Sequence, residues 1–243
     1  TESFSRYHSL DYKMLFMIAF IPSLLAVILT FFIKEKKIES EKKDRPRFLE
    51  FLKYWKNSPT IYRKLVGALL VFALFNSSDA FLFLKIKASG CDDTTLVSIF
   101  IYYNLIFALS SYPIGILADK IGMKKIFIFG IVLFSLTYAG MAFANNLTDF
   151  LVLFFFYGVY SAATEGIAKA WITNICDKKN TATAIGTYNA FQSIATLLAS
   201  SITGLCWYQY GDKIPFILTA VASILVVVFI FFFIKPTKKI LPS

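Results

Sequence analysis

Gly115-Ile-Leu-Ala-Asp119-Lys120-Ile-Gly122-Met-Lys124-Lys125 stands between two long apolar runs, 96–113 and 126–144. It is an island of charge and glycine in otherwise oily sequence. If the flanking runs cross a bilayer, the island is a short turn at the surface, because irregular backbone is not tolerated facing hydrocarbon. Its three lysines point to the side of the membrane where basic loops accumulate.

The composition requires that membrane. Of 243 residues, 57% are hydrophobic and 18% aromatic, with 27 Phe and a mean hydropathy of +0.64. Soluble domains sit near 45–50% apolar and do not repeat apolar runs of about 20 residues, the length that spans roughly 30 Å of hydrocarbon. The fold class is therefore all-α: a polytopic membrane helix bundle with seven transmembrane helices. The net charge of +10 raises nucleic acid as a partner. However, the basic residues fill the gaps between apolar runs, where they fix topology, and no nucleic-acid partner is expected. Cys91, Cys176 and Cys206 lack metal or redox spacing, so no metal or cofactor is expected, and Cys176 and Cys206 read as small packing residues.

Seven apolar spans can be drawn: 13–33, 64–84, 95–115, 125–145, 147–176, 180–207 and 214–234. The first contains Pro22, which predicts a kink. Between the first two spans lies the longest polar segment, 34–63, ending in Phe48-Leu-Glu-Phe51-Leu-Lys-Tyr54-Trp55. Apolar positions 48, 51 or 52, and 55 have helical spacing, so a short helix lying at the interface is expected there, with a regulatory docking site as the other reading. Nineteen Lys and Arg fall in 34–64, 119–125, 177–180 and 235–243, against five on the other side: Arg6, Lys13, Lys85, Lys87 and Lys213. This bias predicts an external N-terminus and a cytoplasmic C-terminus, with the Asp119 turn in the cytoplasm. The chain has no start methionine and its first apolar run is too long for a signal peptide. With an odd number of spans, it is expected to begin inside something longer.

The turn Gly115-x-Leu117-Ala118-Asp119-Lys120-x-Gly122-x-Lys124-Lys125 resembles the signature loop of major facilitator superfamily (MFS) transporters, Gly-x-Leu-Ala-Asp-Arg-x-Gly-Arg-Lys. It departs at Met123, where the family usually has Arg or Lys. The family carries this loop between helices 2 and 3, and again between helices 8 and 9. Taking Asp119 as the second copy makes the spans helices 6 to 12. The basic segment 34–63 then falls at the family's central cytoplasmic linker, and the six later spans form one complete half. The implied organisation is 1–33 as helix 6 with an external tail, 34–63 as linker, 64–234 as the six-helix half and 235–243 as a cytoplasmic tail. Asn76-Ser-Ser-Asp79-Ala-Phe and Thr164-Glu165-Gly166-Ile-Ala-Lys169-Ala look like a bacterial drug- or metabolite-transporter branch. The other register, with Asp119 in the first copy, needs an extra leading helix and leaves the long basic loop unexplained.

Ionisable groups inside a bilayer cost on the order of 2.5–3.5 kcal/mol even on insertion scales, and so mark function by default. Asp79, Glu165 and Lys169 qualify, and the resemblance puts them on helices 7 and 10, which line the family's cavity. Counting about 1.5 Å per residue places Asp79 about 22 Å and Glu165 about 16 Å from the cytoplasmic ends, near mid-membrane. Tyr157, Ser161, Glu165 and Lys169 step by four into a polar stripe, and Gly158, Ala162, Gly166 and Ala170 form a small-residue stripe beside it. In one reading Asp79 or Glu165 binds a proton or a substrate charge. In the other, Glu165 and Lys169 are a structural i, i+4 pair. Asp79 has no basic neighbour on its own helix, which makes it the better proton candidate, with Asn76 as its structural partner. Asn104, Tyr188, Asn189 and Gln192 read as interhelical hydrogen-bonding groups.

By resemblance, Asp119 faces the N-terminus of helix 11 near residues 181–186 and latches the cytoplasmic gate, with Lys120, Lys124 and Lys125 in the same motif. Gly115 and Gly122 permit close helix approach and the tight turn. No enzyme signature competes: there is no phosphate loop, no Gly-x-Ser-x-Gly and no His-Glu-x-x-His. The expectation is secondary active transport of a small solute by alternating access, proton-coupled as symporter or antiporter. The setting is a bacterial inner (plasma) membrane, with the lipid bilayer and a missing N-terminal half as partners. The Asp/Glu pair favours a cationic or amphipathic solute and Lys169 an anion. The alternative is a non-transporting fragment acting as pairing half, sensor or scaffold.

Overall fold

The computed structural model describes residues 17, 20–25, 27–32 and 50–234. The expected external tail, most of the basic segment with Phe48, and the tail 235–243 lie outside them. The chain divides into two compact units, Thr1–Pro46 and Arg47–Ser243. In the first, the described residues include one apolar helix, α1 (Phe20–Phe32), whose described side chains are exposed.

The second unit is all helical among the described residues: α2 (Glu50–Asn57), α3 (Thr60–Ala73), α4 (Ala80–Ala88), α5 (Asp93–Ile121), α6 (Met123–Met141), α7 (Leu147–Ile175), α8 (Thr181–Tyr210) and α9 (Lys213–Phe233). The last five are long and apolar enough to cross a membrane. The span drawn at 64–84 differs from expectation. It is not one helix but two, α3 and α4, separated by the non-helical residues 74–79, so neither half is long enough to cross a membrane alone. The protein is a polytopic all-α membrane bundle.

Local chemistry sets the helix ends. Asp92 caps α5 by accepting from the Thr95 amide at 3.1 Å, and Asn146 caps α7 by accepting from the Asp149 amide at 3.0 Å. Gly122, at φ +102°, breaks α5 from α6 in the left-handed region that favours glycine, so the turn role expected of it is what the backbone requires.

α6 and α7 form the centre, with α5 packed on α7 and α9 on α6. A Cβ on Gly130 would lie 2.7 Å from Thr164 Cγ2 and 3.0 Å from Ala163 Cβ, so this glycine sets how closely α6 meets α7. Around that seam Phe72, Phe127, Phe134, Tyr138, Phe154, Tyr157 and Tyr160 form the buried core. On the other side α2 docks instead of lying free. Phe51 and Trp55 pack edge-on to Phe191 of α8, and Tyr54 and Trp55 pack on Tyr62. Tyr62 in turn donates to the Ala184 carbonyl at 2.8 Å. Cys176 lies at Tyr54, 3.8 Å from its hydroxyl, in keeping with a packing role.

Candidate functional site

The interruption at 74–79 faces a cavity of about 210 Å³. α3 and the interruption contribute Leu69, Phe72, Asn76 and Asp79, while α7 contributes Tyr157, Tyr160, Ser161, Thr164, Glu165 and Lys169; Tyr188 and Gln192 of α8 complete one wall. All four members of the polar stripe on α7 therefore line one space with Asp79 and Asn76.

Asp79 is the residue that precedes α4, so its carboxylate sits at a helix N-terminus inside the bundle. Its Oδ1 accepts from the Tyr157 hydroxyl at 2.6 Å. Asn76, the partner expected from the sequence, is not bonded to it. The Asn76 amide donates instead to the Tyr160 hydroxyl at 3.0 Å, and Tyr103 of α5 and Ser161 share a hydrogen bond of 3.1 Å. The interruption is pinned from α8, where Ser200 Oγ accepts from the Ser78 amide at 3.0 Å. Aromatic hydroxyls thus surround one carboxylate with no basic side chain bonded to it.

Glu165 and Lys169 make no close ion pair, although their charges act on one another. Among the described residues the ion pairs are Lys85–Asp212 and Lys87–Asp93, and both Glu165 and Lys169 are exposed at the cavity. One turn of helix separates them, and both line the cavity. Asn104 bonds within its own helix, to the Phe100 carbonyl at 2.8 Å, and not across helices.

The signature turn divides its labour. Asp119, Lys120 and Lys125 are exposed. Asp119 lines a groove of about 330 Å³ between α5 and α7, beside Gly115, Ala118, Ala162, Gly166 and Ala170, and makes no hydrogen bond or ion pair to the start of α8. Among the described residues the main neighbour of α5 is α7. At Gly115 nothing lies within 4 Å of an added Cβ, so no close helix approach uses it here. Lys124 reaches the other way, donating to the carbonyls of Phe231, at 2.8 Å, and Ile234 at the end of α9. It caps the last helix.

Sequence reasoning missed Tyr103, Tyr138 and Ser200. Tyrosines in an apolar run read as core, and only the neighbour relations of α5, α6 and α8 bring them to Asp79.

A sequence model of the Major Facilitator Superfamily matches residues 90–243. The chain belongs to the major facilitator superfamily. Among curated MFS relatives, an uncharacterized MFS-type transporter, MJ1317 of Methanocaldococcus jannaschii, is 27% identical over 228 residues, 91% of this chain and 56% of the relative. The uncharacterized transporter BU466 of Buchnera aphidicola is 25% identical over 56% of this chain and 35% of its own length. The putative niacin/nicotinamide transporter NiaP of Bacillus subtilis is 25% identical over 69% of this chain and 43% of its own length. The chain thus spans about half, or less, of the curated relatives it matches. Family and relatives make it an integral membrane protein of a transporter family and not an enzyme family.

Proposed function

We propose that this chain is the C-terminal six-helix half, with one preceding helix, of a secondary transporter that moves a small solute by alternating access, coupled to an ion at Asp79. The observation that carries the reading is a carboxylate held in an interrupted membrane helix, hydrogen-bonded to Tyr157 and lining a cavity with Glu165 and Lys169. Interrupted helices at mid-membrane are where transporters bind solutes and coupling ions. A proton on Asp79 is the simplest coupling species. Glu165, Lys169 and Gln192 are costly toward lipid, which supports a second half, from the same reading frame or another chain, closing over the cavity. The N-terminus is external and the C-terminus cytoplasmic, in a plasma membrane.

Lys169 lines the cavity without a close ion pair, its charge acting on Glu165 one turn away, and it suits a solute carrying an anionic group. The compounds in the name of the B. subtilis relative, niacin and nicotinamide, are therefore the first pair to test: the carboxylate against the neutral amide.

The test is solute uptake into membrane vesicles containing the complete protein, driven by an imposed pH gradient. Asp79→Asn should abolish gradient-driven accumulation while leaving the protein in the membrane at parental level. Undiminished accumulation in that variant would refute Asp79 as the coupling residue. Absence of any flux across a solute panel would favour the non-transporting alternative, a pairing half or scaffold.

A further inference from the structure

Within a helix each carbonyl accepts from the amide four residues on. Between α3 and α4 that pattern stops. The Phe75 and Asn76 amides fold back on Phe72 and Ala73, and the ladder restarts with Phe81 donating to Ser78 and Leu82 to Asp79. The Ser78 amide leaves the backbone for Ser200. The carbonyls of Leu74, Phe75, Asn76 and Ser77 consequently accept no backbone hydrogen bond.

Side-chain oxygens at the same place are also under-used. Asn76 Oδ1 is buried without a hydrogen-bond partner, while the buried Ser77 and Tyr138 hydroxyls have only one another and Tyr157 within reach. Ser77 is 3% exposed and Tyr138 1%, and their hydroxyls lie beside one another next to Tyr157. Asp79 Oδ2 is likewise unengaged, since Tyr157 takes Oδ1. Buried polar groups left unpaired are rare, and those left here are oxygens able to accept. What is missing is electropositive. The helix ends do not decide the sign, since α3 directs its negative C-terminal end and α4 its positive N-terminal end into the interruption.

The donor set selects the kind of cation. One carboxylate among neutral oxygens suits a single positive charge; Ca²⁺ and Mg²⁺ sites recruit more carboxylate or retain several waters. Among the described residues no His, Cys, Asp and Glu cluster of metal-ligating size exists, which leaves no soft-metal site. We propose that residues 74–79, with Tyr138, form a binding site for a monovalent alkali cation, Na⁺ foremost. Asp79 Oδ2, Asn76 Oδ1, Ser77 Oγ and carbonyls of the interruption are its ligands. As a coupling ion this cation deepens the transport reading and rests on it, whereas its binding does not. A proton and the cation compete for one carboxylate. The titratable groups facing that carboxylate are Tyr157, Tyr160 and Glu165 of α7, Tyr138 of α6 and Tyr103 of α5, with Lys169 and Tyr188 on the same cavity.

The test is thermal unfolding and equilibrium ²²Na⁺ binding on the purified protein in lipid nanodiscs, at constant ionic strength, with Na⁺ replacing choline. Saturable ²²Na⁺ binding and a melting temperature that rises with Na⁺ but not choline are expected. Asp79→Asn should abolish both effects, and Ser77→Ala should weaken Na⁺ binding about tenfold or more, as for loss of a partner to a charged group. Tyr138→Phe, which removes only a hydroxyl, serves if Ser77→Ala does not fold, as judged by its melt in choline. Identical melts in Li⁺, Na⁺, K⁺ and choline with no bound ²²Na⁺ would overturn the site. If pH-driven uptake persisted in that case, the transport reading would stand without the cation. Saturable Na⁺ binding without flux of any solute would do the reverse.

Discussion

Tyr157 earns its position twice, as core and as donor. Its ring is buried against Tyr103, Phe154 and Tyr160, while its hydroxyl, 2.6 Å from Asp79 Oδ1, is the one hydrogen bond that carboxylate receives. Tyr157→Phe keeps the ring and removes the bond. Hydrogen bonds to charged groups contribute about 1.5–3 kcal/mol, so vesicle uptake at limiting solute should fall roughly 10- to 100-fold with the protein still folded. A variant with parental uptake would show that the hydroxyl only fills space. The contrast with Lys124 is instructive. The signature motif marks it for gating, but its ammonium binds the free carbonyls at the end of α9. Lys124→Ala should lower the melting temperature in detergent by uncapping α9, an effect on the order of 1–2 kcal/mol. An unchanged melt would return Lys124 to the gate.

The small-residue stripe on α7 shows how one pattern can serve two surfaces. At Gly158 an added Cβ would lie 2.8 Å from Ile106 Cγ2 and 3.1 Å from the Tyr103 carbonyl oxygen, and that backbone cannot step aside cheaply. At Gly166 nothing lies within 4 Å. Alanine gains about 0.8–1 kcal/mol of helix propensity at either position, whereas overpacking costs about 1–3 kcal/mol. Gly158→Ala should therefore melt lower and Gly166→Ala no lower than the parent; equal melts would remove Gly158 from the α5–α7 seam. Spacing alone made the stripe visible in the sequence, as it did the polar stripe and the long spans, because hydrocarbon thickness and helix pitch fix those lengths. The interruption of α3 and α4 escaped because hydropathy averaged over some 20 residues hides six irregular ones. Its signal was present in Asn76-Ser-Ser-Asp79, consecutive turn and cap formers. Tyr103, Tyr138 and Ser200 carried no such mark. Their roles depend on which helices are neighbours, and an apolar pattern leaves that open.

The outer ends of the bundle are tied by a charge that the sequence read only as loop bias. Lys85 of α4 is 4% exposed and donates to Asp212, the residue before α9, which joins α4 to α9. Lys87–Asp93, by comparison, is exposed on both sides. Removing one partner of a buried pair strands the other charge. Asp212→Asn should therefore cost about 3 kcal/mol, the low end of the range for such breaks since Asp212 keeps solvent contact, and Asp93→Asn under about 1 kcal/mol. The Lys85 ammonium bonded to it holds the Asp212 carboxyl below its ordinary value of 3.8. A carboxyl depressed in the folded state adds stability that is complete above the unfolded value and is lost as pH falls through the folded one. Acid melts of the parent should thus lose stability below about pH 4 through this pair, while Asp212→Asn, already without it, should show a flatter curve over the same range. Parallel curves for the two proteins would mean that Lys85 and Asp212 do not hold the bundle closed.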